Sequence, residues 1–356
     1  MRSTAGRRFS AGILATGLMS LIPAASADGP QIVTTIQPIH SLVAGVTDGV
    51  TEPRQLIRGG QSPHGYSLTT SDARALHGAD AIFAAGESVE GFLTRAARSL
   101  DEDNRIFWLD EMEGVVLLEA REGGAWEAHD HNHEKHEDGH GHDSDDGHGE
   151  HGHAEDHERH ENGHGHDEHR ENGHGHAEDH GHDHSGIDGH LWLDPHNAIV
   201  LTEQAAAHLA AIDPDNAQQY RTNADAQVGR LEALIDELDE GLVAARERPY
   251  LVFHDAYQYF EQHFDLAAAG SVTIDPERPP GARRIRELQQ RVGAGDIACV
   301  FAEPQFEPRV IEVITEATDI PVGELDPLGA RIEPGPDAYF TLLRNLATDL
   351  DACLAR

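Results

Sequence analysis

The sequence predicts an α/β protein: two (β/α) domains with parallel sheets, joined by a long rigid helix. Three observations predict it. Short apolar runs alternate with amphipathic segments in two separate sets, the pattern of βαβ units. An unbroken amphipathic stretch lies between the sets. The 356 residues suit two domains of ordinary size.

The first set follows an export signal. Arg2, Arg7 and Arg8 precede an apolar stretch from Ala11 to Ala25, and Ala25-Ser26-Ala27 makes a small-x-small cleavage site. The stretch is too short to span a bilayer and is interrupted by Gly17 and Pro23. Residues 1–27 therefore read as a cleaved signal peptide, and the mature chain is expected to be soluble in the periplasm, with no membrane insertion. From Gln31, QIVTTI reads as a strand and HSLVAGVTDGV as a helix. RQLI and AIFAAG are further strands with the helical SDARALHGAD between them, and IFWLD and VVLLEA continue the series. This first block covers residues 28–212. Asp213 and Pro214 open a helix whose pattern runs through RLEALIDELDEGLVAAR, so 213–247 reads as the link. Some 33 residues of helix would extend about 50 Å, a stiff joint that argues against wide hinge closure. The second block, 248–356, repeats the alternation in YLVFHD, LAAAGSV, IACVFAEP and PVGELDP, separated by helical stretches such as RRIRELQQRV.

Charge narrows the function classes. Asp plus Glu number 64 against 26 Lys plus Arg, a formal charge of −38. A nucleic-acid binder needs cations to displace counterions, and an anionic membrane surface would repel this chain. Cys299 and Cys353 are the only cysteines. In an oxidising compartment one disulfide is the default reading, with two reduced ligand cysteines as the alternative; no C-x-x-C spacing supports the latter.

Nineteen of the 27 histidines fall within 129–184, mixed with Gly, Asp and Glu, and the unit ENGHGH occurs at 161–166 and again at 171–176. Nothing there can form a core, so the segment reads as a disordered insertion in the first domain. Neutral imidazoles bind zinc, copper and nickel. Those of His129, His131, His133, His140, His142, His151, His153, His164, His166, His174, His176, His182 and His184 form an auxiliary, weak, pH-dependent metal-collecting set. The alternative is a solvated polyampholyte loop. Two matches to H-E-x-x-H, at His136 to His140 and His160 to His164, are rejected. Gly139 and Gly163 in a polar repeat will not form the helix that motif requires.

The eight histidines outside the segment carry more information. His64 lies in the turn QSPHGYSL, His190 opens HLWLDP (read as a short strand), and His254 ends the strand YLVFHD. Singly, each would more often be a hydrogen-bonded structural residue. Ligands gather beyond the carboxyl ends of parallel strands, however, and three imidazoles plus a carboxylate or water make a standard zinc set. Asp326, in ELDPLG after another strand, offers the carboxylate. Asp194, Asp255 and Glu303 are candidates to hold the ligands' second nitrogens, and Asp255 is equally a candidate helix cap. Trp192 and Phe253 read as core or cleft wall. His40 reads as structural, and His77, His196, His208 and His263 as surface.

These residues sit in segments that resemble a known family. PHGYSLTTSD at 63–72, HLWLDP at 190–195, VFHDAYQYF at 252–260, PPGARR at 279–284, CVFAEPQF at 299–306 and LDPLGARI at 325–332 resemble the periplasmic zinc-binding component of high-affinity zinc ABC importers, the ZnuA-type branch of the cluster A-I metal solute-binding proteins. The resemblance covers nearly the whole mature chain outside the histidine segment. It implies a metal site in the cleft between two domains, with His64, His190 and His254 as ligands to Zn(II) and Asp326, or a water, as the fourth. It also implies a Cys299–Cys353 disulfide. As partners it implies an inner-membrane permease with its ATPase, and possible help from a periplasmic zinc chaperone. The chain would act as a monomer, without nucleic acid. Manganese and iron relatives carry Glu where His254 stands, so the third imidazole favours the borderline Zn(II).

A binding protein that performs no chemical step is therefore the leading expectation. The alternatives are a Mn(II) or other-metal component and a secreted zinc hydrolase, for which Glu303 is the only base to name. A buffer built on the histidine segment alone would leave His64, His190 and His254 unexplained.

Overall fold

The computed structural model describes residues 29–94, 96–97, 105–121, 126, 186–273 and 276–355. The export signal at 1–27 and the histidine segment at 129–184 lie outside the described residues. Among the described residues no helix is long and apolar enough to cross a membrane.

Two four-stranded sheets organise the chain. The first contains β1 (Ile32–Thr34), β2 (Arg54–Gln55), β3 (Ala81–Ala84) and β4 (Ile106–Trp108), in the order β2-β1-β3-β4. The second contains β5 (Tyr250–His254), β6 (Ala268–Thr273), β7 (Cys299–Ala302) and β8 (Val322–Glu324), in the order β6-β5-β7-β8. Every strand pairing within them is parallel. The two orders are the same when counted along the chain. In each, the connection reverses beside the first strand, and such a switch point opens a crevice at the strands' carboxyl ends. Central β3 and β5 are buried along their whole length, which is why they read as continuous apolar runs.

The helices follow local rules. α1 (Gln37–Val46) carries Pro38 in its first turn. α2 (Thr70–His77) opens with a reciprocal capping box between Thr69 and Asp72. Asp194 caps α3 (Pro195–Ile212) by accepting from the His196 N–H. The link is shorter than its amphipathic pattern: Pro214–Asn216 form a 3-10 turn and α4 spans Ala217–Gly241, about 37 Å of helix. In the second lobe come α5 (Gln258–His263), α6 (Ala282–Ala294), α7 (Arg309–Thr315) and α8 (Ala338–Leu354). Gly295, at φ 82°, ends α6 in the left-handed conformation.

Two segments read as strands differ. HLWLDP is a 3-10 turn over Leu191–Leu193 leading into the Asp194 cap, because the Asp-Pro helix start outranks a three-residue apolar run. Among the described residues VVLLEA makes one antiparallel bridge, Glu119 to Ile187. Ala120 N–H joins that pairing through the Gly186 carbonyl, but Val116 donates to Asn197 Oδ1 and Leu118 to the Tyr259 hydroxyl.

One apolar core runs from β1, α1 and β3 through Trp192 and α4 to Tyr339 and Leu346 of α8, so it belongs to both lobes; a second, around Leu251, Leu288 and Val300, is confined to the second lobe. Polar bonds also cross between lobes. Trp192 Nε1 donates to the Pro327 carbonyl at 2.8 Å, the Tyr339 hydroxyl to the Trp192 carbonyl at 2.8 Å, and Gln37 Nε2 to the carbonyls of Gly329 and Ile332 at 2.9 Å each. α4 is packed rather than spanning solvent. Gln227 donates to the Leu42 carbonyl of α1 and to Thr202 of α3. A Cβ on Gly45 would lie 1.6 Å from the Gln227 side chain.

Cys299 of β7 and Cys353 of α8 form a disulfide across a sequence separation of 54. Loop entropy puts its contribution at about 4 kcal/mol. Replacing both cysteines by alanine should lower the denaturant midpoint accordingly and raise the slope slightly, since the bond acts mainly by keeping the unfolded chain compact. A midpoint shift worth under about 1 kcal/mol would show that α8 is held by packing alone.

Candidate metal centre

The carboxyl ends of both sheets meet at one place. β2 leads into the loop carrying His64, and His190 enters on the segment before α3. His254 is the last residue of β5, beside its switch point, and Glu303 directly follows β7. His190 and His254 are buried and His64 is half-buried. The site opens onto a narrow pocket walled by Pro63, Trp192, Phe306, Pro327 and Leu328.

One nitrogen from each of His64, His190 and His254 lies within 4.8 Å of the others. The Nε2 atoms of His190 and His254 are 3.3 Å apart. Tetrahedral Zn–N bonds of about 2.0–2.1 Å place donor nitrogens roughly 3.3–3.4 Å apart, so this pair already has the required separation. Both rings present Nε2 inward because Nδ1 is held from behind. His190 Nδ1 is 2.8 Å from Asp188 Oδ1, and His254 Nδ1 is 2.6 Å from Glu303 Oε1. Each carboxylate also accepts the same histidine's backbone N–H, at 3.1 and 3.3 Å, which fixes main chain and ring together. Gly189 permits the approach: a Cβ there would sit 2.1 Å from Ser88 Oγ.

Electrostatics favour cation binding. Burial, reinforced by the neighbouring His190 and His254, holds the His64 ring well below the usual imidazole range, so it is neutral and ready to coordinate. At His254 burial also disfavours charge, but the Glu303 carboxylate beside Nδ1 outweighs it and the pKa is raised.

Other residues fall differently. Asp326 lies outside the histidine group: its Oδ1 accepts from Gln305 Nε2 and the N–H groups of Leu328 and Gly329, and its Oδ2 from that of Ala330. Of the three acids considered as imidazole partners, only Glu303 holds a ligand-candidate ring. Asp194 caps α3 and pairs with His263 at 2.8 Å. Asp255 neither caps a helix nor meets a site histidine; it pairs with Arg121. Asp188 was missed, although an acid two residues before a candidate ligand, in IDGH, is a readable signal. His40 is buried, 3.1 Å from Thr34 Oγ1, and burial, with the Arg58 charge, pushes it down to about 4. Read as surface, His208 is instead half-buried against Phe107, and His263 is half-buried against Asp194; His77 and His196 are exposed.

A raised folded-state pKa means that the His254–Glu303 pair stabilises the metal-free fold below about pH 6.5 and loses that contribution as pH rises through the folded value. Glu303→Gln should lower the His254 pKa, read from ring-proton NMR titration of metal-free protein. An unmoved pKa would mean that Glu303 is not its source.

Comparison with known proteins places the chain in a family. Residues 32–353 match the family described as "Zinc-uptake complex component A periplasmic". The "High-affinity zinc uptake system protein ZnuA" of Brucella suis is 42% identical over 326 residues, covering 91% of this chain and 92% of that protein. Among solved structures, a crystal structure of ZnuA superimposes with a TM-score of 0.65 at 21% identity, over 92% of this chain and all of the other. The periplasmic zinc binding protein TroA from Treponema pallidum does so with a TM-score of 0.66 at 17% identity, again over 92% and 100%. With two like-ordered parallel sheets, a histidine site between them and a family match over nearly the whole described chain, the protein belongs to the ZnuA family of periplasmic zinc-uptake components.

Proposed function

We propose that this chain captures Zn(II) outside the inner membrane and delivers it to an ABC permease with its ATPase, performing no chemical step itself. One observation carries the reading: three imidazole nitrogens from different segments converge within 4.8 Å, two of them backed by carboxylates. In this reading His64, His190 and His254 hold the ion. Asp326, engaged by its own turn, leaves the fourth position to solvent. Residues 1–27 direct export and are removed. Residues 28–212 and 248–356 form the two lobes, with 213–247 between them, and the protein works as a monomer. The histidine segment at 129–184 collects loosely held metal, and a periplasmic chaperone is a possible further partner.

The hydrolase alternative needs a general base facing solvent and substrate. Glu303 is 3% exposed and bound to both the ring and backbone of His254, which suits it to orientation instead.

Zinc titration by chelator competition tests the reading. Protein lacking residues 129–184 should keep one tight site, and the intact chain should add several weak ones. His254→Glu should weaken zinc by tenfold or more and improve Mn(II) relative to it, because a hard oxygen replaces an imidazole. No tight site in the shortened protein would make the histidine segment the binder and sink the proposal.

Zinc retention should also weaken as pH falls, beginning above about 6.5 because the raised pKa of His254 lets protons compete there first, while His64, held well below that range, is protonated last. Affinity constant between pH 5 and 8 would rule out an all-histidine set.

A further inference from the structure

Outside the histidine group, a buried charge cluster among the described side chains centres on Arg121. Its guanidinium grips Asp255 as a fork: Nε is 3.1 Å from each carboxylate oxygen, and Nη2 also bonds Oδ1. Nη1 donates to Glu261 Oε2 at 2.7 Å, and the Trp126 ring centroid lies 3.5 Å from the guanidinium carbon. The Asp255 and Glu261 side chains are 8% and 4% exposed. Burial pushes Glu261 up to about 7, against the lowering effect of Arg121.

The position of this cluster in the chain gives it a consequence. Arg121 follows a segment laddered to the approach of His190: Ala120 N–H donates to the Gly186 carbonyl at 2.8 Å and Asp188 N–H to that of Leu118 at 2.9 Å. Both sides of this neck are fastened to α5. The Tyr259 hydroxyl accepts from Leu118 N–H and donates to the Asp188 carbonyl, while Gln258 Nε2 donates to the Glu119 carbonyl. At the other end of the latch, Asp255 is the neighbour of His254. The contacts close a ring: His190 to Asp188, across the neck to Arg121, to Asp255, to His254, and over 3.3 Å back to His190.

We propose that Arg121 is a positioning residue for metal retention: by tying the neck that carries Asp188 and His190 to the segment that carries His254, it sets how slowly captured Zn(II) leaves. This rests on the capture reading above. Only a bidentate cation serves both acids at once; a lysine is a point charge on a flexible stem. A brace behind the ligands leaves the ion's approach unchanged and acts on how readily the seated site opens, so its loss appears mainly in the dissociation rate.

The test uses the intact mature chain loaded with one equivalent of zinc and chased with excess chromophoric chelator. Zinc on unorganised histidines should leave in a fast phase and zinc from the cleft in a slow one. Arg121→Met should accelerate the slow phase by roughly tenfold or more while the association rate stays within about twofold. Arg121→Lys should fall between it and wild type. Val292→Ala, in the separate second-lobe core, controls for lost stability and should keep the wild-type slow phase. A slow phase within twofold of wild type in Arg121→Met overturns the latch, as does equal acceleration in Val292→Ala. If Arg121→Met does not fold, Arg121→Lys releasing zinc at the wild-type rate overturns it. A wild-type chain with no slow phase sinks the capture reading and the latch with it.

Discussion

His190 and His254 come from different lobes, yet their Nε2 atoms are held 3.3 Å apart. Two imidazoles that close can share one proton, but two protonated rings would repel, so the separation has to be imposed by the surrounding fold. The shared core does this. Trp192, two residues beyond His190, is buried and anchored to the Pro327 carbonyl of the second lobe, and Tyr339 of α8 reaches back to Trp192 and to Ser41 of α1. α8 closes the second lobe through its disulfide to β7 and also packs on the first lobe. A hinge that opened widely would have to break these buried contacts.

Charge balance follows from the same arrangement. Three neutral imidazoles bring no charge to a divalent cation. Asp188 and Glu303 stand behind two of them, each within 2.8 Å of an Nδ1, and two carboxylates one ring away can offset the ion's charge without touching it. They also fix which nitrogen faces inward. Direct carboxylate ligands would neutralise the ion more strongly but would suit harder metals. Beside β5, Arg121 pairs with Asp255 and Glu261 and compensates the negative charge that those two acids bring.

Periodicity made much of this legible. The strands were readable because parallel strands buried on both faces are continuous apolar runs, and His254 was placed by ending one of them. Apolarity alone misled at HLWLDP, which the Asp194-Pro195 helix start draws into a 3-10 turn, and at VVLLEA, where Val116 and Leu118 donate to the side chains of Asn197 and Tyr259, far away in sequence. The cap reading belonged to Asp255 and the cap itself to Asp194, which precedes Pro195; the partner that claims Asp255, Arg121, is 134 residues distant. Asp326 looked like a ligand by its place after a strand. What decides its role is the conformation of residues 327–330, which aims three N–H groups at it, and composition does not encode that directly. Asp188 had a local signal and was overlooked beside the louder histidines.

The three ligand candidates are not mechanically equivalent. His190 and His254 are each fixed twice, through ring and backbone, to a buried carboxylate, and both stand on segments sewn into the common core. His64 sits on a short half-buried turn after β2, its N–H bonded to Ser62 Oγ, with glycines at 59 and 60 at φ 66° and 77° upstream. Gly60 lies so close to Ala330 of the other lobe that a Cβ would approach to 2.7 Å. A carrier must hold its cargo and later give it up. With two ligands built into the rigid seam between lobes, a route out that leaves the core intact begins at the third, where the loop carrying His64 touches the turn that Asp326 organises.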